Sequence, residues 1–114
     1  MSKVYFTLTG TKYYYGKEFL KPGMKLLLEK EPDNEYDNEA IMVKLGGLGK
    51  LGYVANSPYT VIGDSMSAGR LYDRIGNVAY GKVILVTPQG TLCKVNKKSL
   101  VGYQQKKVEE AVPE

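Results

Sequence analysis

The sequence predicts a mainly β domain with short helices, built as a small, partly open β-barrel of five or six strands. Three observations carry that expectation: short runs of alternating apolar residues, turn residues between them, and helical patterning confined to the stretch before the last hairpin. Val4, Phe6 and Leu8 alternate with Tyr5, Thr7 and Thr9, which reads as a first strand closed by Gly10. Pro22 and Gly23 punctuate the chain before a second strand over 24–29. Residues 40–45 are apolar and β-branched, and Gly46, Gly47 and Gly49 then turn the chain into a fourth strand over 50–55. Asn56 or Ser57 can cap a helix with Pro58 just inside it, and 68–75 has the pattern of a second helical piece ending near Gly76. A long strand over 78–86 turns at Pro88-Gln89-Gly90 and returns over 91–95. From about Gln104 the chain is polar and charged, so the domain is placed at 1–103 and a polar tail at 104–114.

At 114 residues the chain is one domain, able to bury roughly two-thirds of its unfolded surface and to hold a core without staples. There is one cysteine, Cys93, so neither a disulfide framework nor a zinc cluster can be assembled, and its apolar-alternating context makes it a buried thiol. Histidine is absent, which removes the usual general base and the commonest transition-metal ligand. No cofactor or metal is expected. The N-terminal Met-Ser-Lys-Val-Tyr-Phe has no signal pattern, and no apolar stretch is long enough to span a bilayer. A cytoplasmic protein with no membrane partner is the expectation.

The net charge of +4 hides a strong asymmetry. Six of the twelve acids (Glu29, Glu31, Asp33, Glu35, Asp37, Glu39) fall within 29–39, and three more lie in the tail. Residues 1–28 and 40–105 hold thirteen Lys and Arg against three acids, a local charge of +10. A body this basic attracts polyanions. Ten tyrosines and no tryptophan form the aromatic inventory, and Tyr13, Tyr14 and Tyr15 are consecutive. On an extended segment at least one of them points away from the core, where it can stack on a base while Lys12 or Lys17 meets a phosphate.

The acidic segment Glu-Pro-Asp-Asn-Glu-Tyr-Asp-Asn-Glu-Ala-Ile at 31–41 repels phosphate and needs its own account. Calcium binding through Asp33, Glu35 and Asp37 fails the EF-hand pattern, because Asn38 stands where glycine is needed and Lys44 where the bidentate glutamate belongs. A two-metal nuclease site is a second reading, for which clustered acids are weak evidence. A third is a hydrogen-bonded turn built by Pro32, Asp33 and Asn34, with the other acids keeping it soluble.

The order of segments adds a further signal. A first strand ending in Gly10, the tyrosines before Gly16, the block Glu-Pro-Asp-Asn-Glu-Tyr-Asp-Asn-Glu-Ala-Ile-Met-Val at 31–43 and Leu-Gly-Tyr-Val at 51–54 resemble the HIRAN domain family over about residues 3–100. The resemblance implies an OB-like barrel that binds the 3′-hydroxyl end of single-stranded DNA, in DNA repair or replication-fork processing, beside a repair or helicase protein partner. It implies that Tyr13 and Tyr36 sandwich the terminal base, that Asp37 accepts a hydrogen bond from the 3′-hydroxyl, and that Lys12 holds a phosphate. Tyr53 and Asn56 would line the same pocket, and Tyr14 and Asn34 complete the candidate set. Lys12 stands where eukaryotic members tend to carry arginine, Tyr53 replaces a histidine and Asn56 a basic residue. The family's larger members are ATP-dependent translocases, but this chain has no Gly-x-x-x-x-Gly-Lys-Ser/Thr loop, so a binding module and not an enzyme is expected. The alternative is an RNA-binding or protein-interaction barrel that has lost end recognition.

Overall fold

In the computed structural model, residues 3–11, 17–46 and 48–102 are described. Lys12, Tyr13, Tyr14 and Gly47, and the polar tail expected from residue 104, lie outside the described residues. Six strands form the architecture: β1 (Tyr5–Thr9), β2 (Lys25–Glu31), β3 (Ala40–Leu45), β4 (Gly49–Val54), β5 (Val78–Val86) and β6 (Thr91–Val95). All pair antiparallel in the order β1-β4-β3-β2-β5-β6, and β6 returns to β1. The expected barrel is present, with the upper strand count, and its sheet closes.

Alternation drives the closure. Phe6, Leu8, Leu26, Leu28, Ile41, Val43, Leu51, Val83 and Val95 are all buried within the barrel core. Full burial of one such side chain stabilises by about 1.5–3 kcal/mol, so a core of this kind supports a domain without cross-links. β5 turns the barrel's corner: its residues 78–82 pair with β2, residues 81–86 pair with β6, and the register slips between Val83 and Leu85. A bulge at that point bends the strand and lets one segment serve two neighbours.

Two glycines do specific work at β4. Gly49 enters the strand at φ +86°, a conformation L side chains rarely adopt. Gly52 lies where β4 presses on β1, and a Cβ there would run into the backbone carbonyl of Thr9.

Two elements depart from the sequence expectation. The helix expected after Asn56 is a single turn: Ser57 O accepts from Thr60 N at 2.9 Å and Val61 N at 3.0 Å, and the Ser57 hydroxyl accepts from Tyr59 N. The chain then leaves helical geometry because Ile62 N donates to Thr7 Oγ1 at 3.0 Å on β1. The second helix, α1 (Ala68–Tyr72), is shorter than the 68–75 expected. Ser67 caps it through its hydroxyl, and it stops because buried Ile75 pairs as an isolated bridge with Leu100.

Cys93 is fully buried in β6, and burial pushes its thiol from 9.0 up to about 12. The folded chain therefore holds a proton that the unfolded chain releases between pH 9 and pH 12. The stability this neutral thiol contributes is complete below pH 9 and is lost as pH rises through that window. Urea midpoints measured from pH 8 to pH 11 are expected to fall on the alkaline side, less so for Cys93→Ala. At pH 8 Cys93 is expected to react with a thiol reagent only at the rate of unfolding, and rapid native-state labelling would refute its burial.

Candidate nucleic-acid interface

The segment between β2 and β3 consists of two successive turns whose own side chains hold them. Asn34 N donates to Glu31 O at 3.0 Å, which places Pro32 and Asp33 at the corner of the first turn. Asn34 Oδ1 then accepts from Tyr36 N at 2.9 Å and from Asp37 N at 3.1 Å. Asp37 repeats the device, with Oδ1 accepting from Glu39 N at 2.9 Å while its carbonyl accepts from Ala40 N at 3.1 Å. Short polar side chains that bond the backbone two or three residues on are the usual builders of such turns. The hydrogen-bonded turn read from Pro32, Asp33 and Asn34 is therefore present. Among the described residues no three His, Cys, Asp or Glu side chains converge as a metal site would require.

This turn leans on β4 through Glu31, which sequence reasoning counted only as one more acid. Glu31 Oε1 accepts from Tyr53 Oη at 2.8 Å and from Asn34 Nδ2 at 3.1 Å, while Lys50 Nζ donates to Tyr53 Oη at 3.0 Å. Tyr53 is thus fixed at both its hydroxyl contacts. Burial chiefly, and then Glu31, raise its phenol above the ordinary value of 10.0 against the opposing pull of Lys50, so it stays a donor to Glu31. No local signal in the sequence identifies Glu31 and Lys50 as supports, since the contact depends on β2 and β4 both flanking β3.

Asn34, Tyr36, Asp37 and Tyr53 line one shallow pocket of about 220 Å³, with Ala40 and Val54 as its apolar floor. Tyr36 is 88% exposed, an unpacked ring at the rim. Asn56 does not line this pocket. Its Nδ2 donates to Asp37 Oδ2 at 2.8 Å, and its Oδ1 accepts from Gly69 N at 2.8 Å in α1. Asn56 therefore positions Asp37 from behind and ties it to the helix. Each carboxylate oxygen of Asp37 holds one donor, and a carboxylate has about four acceptor sites, so capacity for a further donor remains.

The HIRAN domain family model matches residues 1–70, which contain the acidic turns, the Tyr53 strand and most of α1. The chain belongs to the HIRAN family. HIRAN domains are in general nucleic-acid-binding domains that take single strands. A crystal structure of a protein from Lactobacillus plantarum is similar to this HIRAN chain with a TM-score of 0.55 and 28% identity, over 82% of this chain and 93% of that one. No curated protein matches the chain. Among the described residues of this HIRAN protein, no helix is long and apolar enough to cross a membrane.

Proposed function

We propose that this HIRAN domain binds the 3′-hydroxyl end of single-stranded DNA at the pocket between the acidic turns and β4, in DNA repair or replication-fork processing. One observation carries the reading: Asp37 is oriented by Asn56 and Glu39 N, keeps acceptor capacity, and shares a pocket with the exposed ring of Tyr36 and the anchored ring of Tyr53. A carboxylate beside a phosphate is repelled, whereas beside a terminal hydroxyl it accepts a charge-assisted hydrogen bond. Asp37 thereby selects ends over interiors. Tyr36 stacks on the terminal base, Tyr53 walls the pocket, and Asn34 holds the turn that presents Asp37. Lys12 supplies the phosphate contact and Tyr13 the opposing aromatic face, with Tyr14 beside it.

The alternative, an RNA-binding or protein-interaction barrel without end recognition, draws support from one contact: the Asn56 amide already sits on Asp37 Oδ2. A titration with matched oligonucleotides separates the two. A 3′-phosphate removes the donor and sets a charged group against the carboxylate, so 3′-phosphorylated DNA is expected to bind at least about tenfold more weakly than 3′-hydroxyl DNA, or about 1.4 kcal/mol. Asp37→Ala should weaken hydroxyl binding and erase most of that difference. Equal affinity of the wild type for both ends, together with unchanged binding by Asp37→Ala, would overturn end recognition at this pocket and leave the acidic turns a structural role.

A further inference from the structure

A groove of about 600 Å³ lies on the other side of the barrel from the end pocket, across β2, β5 and β6. Lys25, Lys82, Lys94, Lys97 and Lys98 line it together with Tyr80, and among the described residues no carboxylate does. The register makes this more than a solvated scatter of lysines. Lys25 is the cross-strand partner of Lys82, and Lys82 is the partner of Lys94, so three like charges stand in one row on adjacent strands. Like charges directly opposite destabilise a sheet, and among the described residues none of the three has an ion-pair partner to offset the repulsion. Desolvation first, and then the nearness of Lys3, Lys97 and Lys82, lowers the Lys94 ammonium below its ordinary value.

An arrangement that costs stability in the free protein is relieved by a bound polyanion. Tyr80 narrows the choice of polyanion. Its ring is 58% exposed on the outer face of β5, one pleat from Lys82. Its backbone is clamped where Tyr80 N donates to Ser99 Oγ at 3.0 Å and Tyr80 O accepts from Asn96 N at 2.7 Å. The same contacts hold the Lys97–Ser99 turn over the strand and bring two further lysines to the groove. An aromatic face set among lysines suits bases on a phosphate backbone, because every base has a face that stacks.

We infer that this groove is a second nucleic-acid site, which holds the sugar-phosphate backbone of a single strand through the lysine row and stacks a base on Tyr80, independently of the strand's end. The groove's residues from Tyr80 to Lys98 fall beyond the segment matched by the family model, and the site does not rest on the 3′-end reading. A circular single-stranded oligonucleotide, which has no 3′-hydroxyl, tests the groove alone. The double variant Lys82→Gln/Lys94→Gln is expected to bind it at least tenfold more weakly, with a log K against log salt slope shallower by about 1.4, from roughly 0.7 per lost phosphate contact. Its thermal midpoint should match or exceed the wild type's, since the substitutions remove repulsion. Tyr80→Ala should also weaken binding, and Arg74→Gln, which removes one charge outside the groove, should not. Unchanged binding by the double variant, an equal loss from Arg74→Gln, or displacement of the circle by polyglutamate as readily as by an unlabelled single strand would each overturn the inference.

Discussion

Gly52→Ala is expected to destabilise the domain by about 3 kcal/mol, the upper part of the range for overpacking, and to lower the thermal midpoint by roughly 10–20 °C. The reason is the nature of the obstacle. A Cβ at Gly52 would meet the Thr9 carbonyl oxygen, a backbone atom in the neighbouring strand, and would lie 3.2 Å from Leu8 Cδ1. A side chain tip can rotate away, but a carbonyl in a closed barrel moves only if β1 and β4 separate. Thr9 pairs with Tyr53, the residue after Gly52, so the same displacement moves the wall of the end pocket. Gly52→Ala should therefore weaken binding of short 3′-hydroxyl oligonucleotides as well as stability. Gly76→Ala is the control, because a Cβ there meets nothing within 4 Å. Thermal and urea unfolding of the two variants side by side decides the matter. Equal midpoints would mean that β1 and β4 pack less tightly than the structure shows.

Tyr36→Ala is expected to weaken binding of 3′-hydroxyl single strands by about 1–3 kcal/mol, the range for loss of one aromatic stacking platform, while leaving the unfolding midpoint unchanged. Both halves follow from exposure. A ring 88% exposed contributes little to the core, so removing it leaves the barrel intact, and the backbone of the turn is held by Asn34 and not by the ring. Tyr36→Phe should retain most of the affinity, since the stacking face survives. Tyr59 offers a comparison: it is 95% exposed but lies outside the pocket, and Tyr59→Ala should leave the affinity alone. Fluorescence anisotropy with a short labelled oligonucleotide measures all three. Wild-type affinity in Tyr36→Ala would remove the ring from the site.

Legibility varied with how local each cause was. β3, β5 and β6 coincide with the strands expected at 40–45, 78–86 and 91–95, because in each the apolar pattern and its bounding turns are contiguous in the chain. β2 runs two residues beyond its expected end, to Glu31, since the ladder with β3 extends to Glu31 and Ala40. Alternation along β1 sets Thr7 on the opposite face from Phe6 and Leu8. Thr7 is buried too, because residues 62–66 cross over β1: Thr7 Oγ1 accepts from Ile62 N, and its hydroxyl lies 2.8 Å from that of Ser65. The same crossing shortened the helix expected after Asn56, and no feature of 56–61 announces it.

What the sequence determined by itself was the class of the fold, the presence of a turn-rich acidic segment that contains a tyrosine, and the family, since periodicity, turn residues and a contiguous motif are properties of neighbours in the chain. The tertiary structure decided which of those residues meet. Glu31 reaches Tyr53 across twenty-two positions, and Asn56 reaches Asp37 across nineteen. Lys25, Lys82 and Lys94 become one row only through the registers of β2, β5 and β6. Side chains on adjacent strands interact according to pairing register, and register in a closed barrel is set by the packing of every strand at once, so a residue's partner there is not written near it in the chain.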